Sequence, residues 1–166
     1  QVELISIWSD LIALFDIKTA QLLLTHTDFE GFKRRNDIQA ILTRLLHQGV
    51  IPVINENDIA ADSEEGLRDN DHLASLISEA ILADNLIILT DQEGVYTKDP
   101  RTSLEAELVS VIQCHDNQLS HITTNSKSEQ GTGGMRTKLI AAQESACKGI
   151  KTVIASAFRP NVLIEL

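Results

Sequence analysis

Apolar residues in this chain follow two alternating rhythms, one near the helical repeat and one of short unbroken runs. Leu4, Ile5, Trp8, Leu11, Ile12 and Phe15 recur at intervals of three and four, the spacing of one helical face. This predicted helix opens the chain with no methionine and no capping residue before it, which suggests a chain cut from something longer. The run from Ala20 to Thr25 reads as a buried strand. A second helix is predicted from Asp37 to Gln48, with Ile38, Ile41, Leu42, Leu45 and Leu46 on one face and Gly49 placed to end it. Val50 to Ile54 has the continuous apolar character of a strand covered on both faces, although Pro52 removes one ladder donor. Leu73, Leu76, Ile77, Ala80 and Ile81 predict a third helix, and Leu86 to Thr90 a strand ended by Asp91. Leu108 to Ile112 is a further strand candidate. The polar stretch from Thr123 to Gly134 reads as a mobile loop, followed by a helix from about Met135 to Lys148, closed by Gly149, and a strand from Lys151 to Ala155. Strand and helix alternate throughout, so the expected class is α/β: a three-layer α/β/α sandwich with a mostly parallel sheet. No internal repeat, low-complexity tract or domain boundary interrupts the pattern.

Composition narrows the picture. A length of 166 residues, 43% apolar and 23% charged, suits one soluble globular domain. Fourteen basic against 24 acidic residues give a net charge of −10. That balance excludes general nucleic-acid binding, which needs basic surface, but leaves room for a local anion site built from a few cations and backbone amides. No run reaches the roughly 18 apolar residues of a membrane span and no signal-peptide layout opens the chain, so a cytoplasmic protein without membrane partners is expected. Cys114 and Cys147 lie far apart in sequence without ligand spacing and read as free thiols in a reducing compartment. The five histidines show no metal-binding spacing either, and no metal site is expected.

The candidate chemistry lies near the carboxyl ends of the predicted strands, where open parallel sheets bind ligands. Asn55-Glu56-Asn57-Asp58 follows the second strand, and its side chains can hold an amino acid or simply form an Asx turn. Asp69-Asn70-Asp71 precedes the third helix; one of these residues is expected to cap it, yet three polar groups exceed what a cap needs. Thr90-Asp91 sits at a strand end, and the mixed segment from Tyr96 to Arg101 can cover a purine base or form a solvated hairpin tip. Gly131 to Lys138 opens the last helix with three glycines, two threonines, Arg136 and Lys138. Glycines admit close backbone approach and a helix N-terminus offers free donors, so this segment fits a phosphate as well as it fits a flexible loop. It matches neither the GxxxxGK[ST] nor the GxGxxG pattern. Together the segments point to anion binding and phosphoryl transfer.

These residues resemble the glutamate 5-kinase family of the amino acid kinase superfamily. The resemblance rests on Val50 to Asp58, Asp69 to Asp71, Leu89 to Asp91 with Gly94 to Tyr96 and Asp99 to Arg101, and Gly131 to Lys138, in the family's order and at similar spacing. The Thr-Asp and Gly-Val-Tyr elements are shared across the superfamily, whereas Ile-Asn-Glu-Asn-Asp with Asp-Asn-Asp is closer to glutamate 5-kinases. The resemblance implies ATP-dependent phosphorylation of the γ-carboxylate of glutamate, the first step towards proline. It implies that Asp58 and Asn70 hold glutamate with Asn55 nearby, and that Thr90, Asp91, Thr132, Gly133, Gly134, Met135, Arg136, Thr137 and Lys138 bind ATP. Lys138 and Asp71 take the catalytic roles, Lys138 stabilising the transferring phosphoryl group and Asp71 organising lysines. Mg²⁺ is expected to arrive bridging the nucleotide phosphates. A homo-oligomer and proline feedback are further expectations. The family's first strands, its lysine and its glycine-rich turn have no counterpart here, so the chain is expected to be a partial kinase domain, inactive alone and without the C-terminal PUA domain of some members. The alternatives are another superfamily phosphotransferase, acting on acetylglutamate or uridylate, and a non-catalytic nucleotide- or amino-acid-binding remnant.

Overall fold

A computed structural model describes residues 2–57, 70–115 and 134–166. The chain forms two compact units, Gln1–Glu65 and Gly66–Leu166.

In the first unit, helix α1 (Val2–Ala13) leads into strand β1 (Lys18–Leu24), a 3₁₀ turn (His26–Phe29), helix α2 (Phe32–His47) and strand β2 (Val50–Glu56). β1 and β2 pair in parallel, Lys18 opposite Val50 through Leu24 opposite Glu56. Pro52 sits within β2, opposite Ala20. Gly49 adopts φ +69° directly after α2, a conformation that glycine enters at little cost, and so turns the chain into β2. Along α2, Ile38 and Leu42 are buried while Ile41 and Leu46 are about half exposed, so the buried stripe is narrower than the sequence suggests. α1 departs further. Leu4, Trp8, Leu11 and Phe15 are exposed, and the partly buried positions are Ile5, Ser9 and Ile12. On that partly buried side, Ser9 Oγ and Thr19 Oγ1 share a 2.7 Å hydrogen bond between α1 and the start of β1.

The second unit contains α3 (Asn70–Ala80), β3 (Asn85–Thr90), the short strands β4 (Val95–Tyr96) and β5 (Leu108–Val109), α4 (Met135–Cys147), β6 (Lys151–Ser156) and a terminal turn of helix α5 (Val162–Glu165). β3 and β6 pair in parallel, from Asn85 opposite Lys151 to Thr90 opposite Ser156, and β4 pairs antiparallel with β5. The expected strand from Leu108 is therefore only two residues long, one arm of a hairpin in which Tyr96 lies on β4 and Thr97 to Arg101 lie in the connection. Leu86, Ile88, Ala141 and Ile150 form one buried cluster, and Val95 and Leu139 another, with Ile154 packed against both. α3 meets α4 through small hydroxyl residues: Ser145 Oγ donates to Ser75 Oγ at 2.9 Å, and Ser78 Oγ donates to the Ser75 carbonyl at 2.8 Å. Ser145 is fully buried, so these bonds satisfy groups that water cannot reach. Only three residues separate α4 from β6 and four separate α3 from β3. Connections that short send each helix back along the strand that follows it, which brings both helix N-termini to the end where β3 and β6 finish.

Candidate functional site

At that end, Gly134 enters α4 with extended backbone (φ −85°, ψ 178°) and no side chain caps the helix. The first-turn amides of Met135 and Arg136 and the positive end of the helix dipole are thus available to an anion. Arg136 is exposed and Met135 half-buried. Thr137 is buried; its hydroxyl donates to the Gly134 carbonyl at 2.9 Å and lies 3.5 Å from Asp71 Oδ2. One turn into α4, Lys138 Nζ donates to Asp71 Oδ2 at 2.7 Å, and both side chains are only 18% exposed. Asp71 reaches this position from the first turn of α3. Sixty-seven residues apart in sequence, the two are joined because α3 and α4 pack side by side with their N-termini together. The pair holds the ammonium of Lys138 at a set place beside uncapped amides.

Thr90, buried at the carboxyl end of β3, turns its hydroxyl to Asp91 Oδ1 at 3.2 Å, and its carbonyl accepts from Ala157 N at 2.8 Å. Asp91 is exposed, and Arg101 Nη2 reaches its other oxygen at 3.2 Å from the β4–β5 connection. Nearby, Lys98 pairs with Glu105 across that connection. Gly94 is buried where an added Cβ would come within 3.2 Å of Leu108 Cδ1. A cavity of about 440 Å³ opens beside these strands, its walls including Gly94, Val95, Val109, Leu139, Ala142 and Ile154.

Asn70 is exposed at the start of α3. In the first unit, Asn55 stands half-buried near the end of β2, opposite Leu23. The next residue, Glu56, is buried with Oε1 2.8 Å from Nδ1 of the buried His26. Asp58, Asp69, Thr132 and Gly133 lie outside the described residues; of the three candidates to cap α3, Asn70 and Asp71 lie within the helix itself.

The model of the amino acid kinase family matches residues 1–156. The chain belongs to the amino acid kinase family. Along its full 166 residues it is 42% identical to a glutamate 5-kinase of Haemophilus influenzae (strain PittGG) and 40% identical to one of Pasteurella multocida, covering 45% of each. A glutamate 5-kinase of Chromobacterium violaceum is 45% identical over 152 residues, 92% of this chain and 41% of the relative. The chain thus spans somewhat under half the length of these relatives. The α/β expectation agrees with the family and with the parallel pairs of the two units. Among the described residues, no helix of this amino acid kinase chain is long and apolar enough to cross a membrane.

The fold also assembles a group that sequence spacing hides. Cys114, His115 and Cys147 come together in the second unit, with one potential ligand atom of each within 4.8 Å of the others. Both cysteines are free, and the neighbouring Cys114 side chain pushes the Cys147 thiol up from its ordinary value. They stand 33 positions apart in sequence, so only the packing of the post-β5 segment on α4 reveals the cluster.

Proposed function

We propose that this chain forms part of an enzyme that transfers the γ-phosphoryl group of ATP to the γ-carboxylate of L-glutamate, giving γ-glutamyl phosphate, the first step towards proline. The Asp71–Lys138 pair carries the reading: a fixed cation beside an uncapped helix N-terminus, in a chain resembling glutamate 5-kinases along its whole length. In the proposed reaction a γ-carboxylate oxygen attacks the terminal phosphorus as the bond to the bridging oxygen breaks and ADP leaves. The acceptor is already ionised near neutral pH, so no general base is required and the task is one of positioning and electrostatics. Lys138 draws charge from the equatorial phosphoryl oxygens, where a fixed donor is most effective. Asp71 is a positioning residue that holds that ammonium. The α4 amides, Thr132 to Thr137, Thr90 and Asp91 are assigned to the nucleotide, and the cavity beside Leu139 offers apolar walls to its base. Asn55, Asp58 and Asn70 are assigned to glutamate. Mg²⁺ belongs with the nucleotide phosphates, where it neutralises charge; Asp71 is already engaged by Lys138. The reading extends to a cytoplasmic homo-oligomer subject to proline feedback.

The test is glutamate-dependent ATP consumption by the intact protein, with the acyl phosphate trapped as hydroxamate. Turnover with glutamate is expected. Turnover with uridylate or acetylglutamate in its place would overturn the assignment.

A further inference from the structure

We propose that Cys114, His115 and Cys147 form a zinc site that ties the segment after β5 to the C-terminal turn of α4. Two thiols and an imidazole are the donor set that borderline and soft cations prefer over the oxygen-seeking Mg²⁺. The backbone already brings the donors together. Gln143 and Cys147 stand four residues apart on one face of α4 and converge on a single acceptor, the Cys114 carbonyl, from 2.7 Å and 3.2 Å. That anchor fixes Cys114 against the helix, while the exposed side chains of His115 and Cys147 remain free to swing. Zinc ligated at the usual ~2.3 Å to sulfur and ~2.0 Å to nitrogen needs donor separations of roughly 3.5–3.8 Å. The present group lies within 4.8 Å, so an adjustment of about an ångström, made by exposed side chains, closes the site. Binding trades the Cys147 S–H bond to the Cys114 carbonyl for a metal–thiolate bond and releases the thiol protons; the Gln143 bond stays. Three protein ligands leave a fourth position for water.

The site lies at the opposite end of α4 from Lys138, about nine residues or roughly 14 Å along the helix. Cys114 and Gln143 also line the cavity beside Leu139, so the two sites share a wall, but metal binding is read directly and its test needs no activity measurement. Reduced intact protein is titrated with Co²⁺ alone and then with Zn²⁺. One equivalent of Co²⁺ should give thiolate-to-metal absorption, which Zn²⁺ displaces, and Zn²⁺ should protect both thiols from alkylation until a chelator is added. Cys147→Ser and Cys114→Ser should each abolish the absorption, and His115→Ala should weaken binding by at least about tenfold. Cys147 is exposed, so its variant should retain the wild-type circular dichroism spectrum and decide the matter even where Cys114→Ser unfolds. Absence of the thiolate band in reduced protein, its survival in Cys147→Ser, or a pair that forms a disulfide yet leaves Co²⁺ unbound when reduced would overturn the proposal.

Discussion

Lys138 shows how much one contact decides. Its ammonium is shielded and paired with Asp71, so it does not wander as a surface lysine does. Lys138→Met in the intact enzyme should lower kcat by about 10²–10³-fold, the usual effect of losing one donor to developing charge. Asp71→Asn should lower kcat more than it raises KM for ATP. Because the two act as a unit, the double variant should lose little beyond Lys138→Met alone, which a double-mutant cycle on kcat checks. Asp28 supplies a prediction of a different kind. Burial pushes its carboxyl upward, but bonds from Thr25 N at 2.8 Å, from Arg34 Nε at 2.9 Å and from Thr25 Oγ1, with the Arg34 charge, outweigh that and hold it below the ordinary value. A carboxyl lowered in the folded state contributes stability above its unfolded value and loses it as pH falls through the folded one. Asp28→Asn should therefore be less stable than wild type at pH 7, and the difference should shrink below about pH 4 in urea titrations.

Among the elements, the α3–α4 contact places the site, and it depends on small side chains. Ser75, Ser78 and Ser145 let the helices approach while satisfying one another. Ser145→Ala removes one partner and should cost about 1 kcal/mol, whereas Ser145→Leu should cost about 1–3 kcal/mol or more by forcing the helices apart. Urea unfolding with an unchanged m-value checks the first, and a loss of kcat in Ser145→Leu beyond that in Ser145→Ala checks the link to Lys138. The helix and strand runs were legible because burial imposes a period on sequence. On α1 only Ile5 and Ile12 of the expected stripe are partly buried, because spacing names an apolar face without saying what is there to cover it. The hairpin-tip reading of the segment from Tyr96 and the strand candidate at Leu108 fit the β4–β5 hairpin, but its bounds were not legible because two-residue strands carry no period.

For the whole molecule, ligand linkage gives the measurable consequence. Mg·ATP at about 100 times its Kd should stabilise the intact protein by about 2.7 kcal/mol, and Lys138→Met should reduce that gain, as thermal unfolding with and without nucleotide will show. The acidic excess of −10 coexists with this anion site because the site depends on local amides and cations rather than on net charge. From the sequence came the α/β alternation, the family and the candidate residues, since periodicity, helix ends and motif order are local properties of a chain. Tertiary structure alone decided that Lys138 meets Asp71 across sixty-seven residues, that Ser145 closes α4 on α3, and that Cys114 and His115 stand beside Cys147. Each of these is a contact between distant segments, settled by how helices and strands pack and not by the order in which they are written.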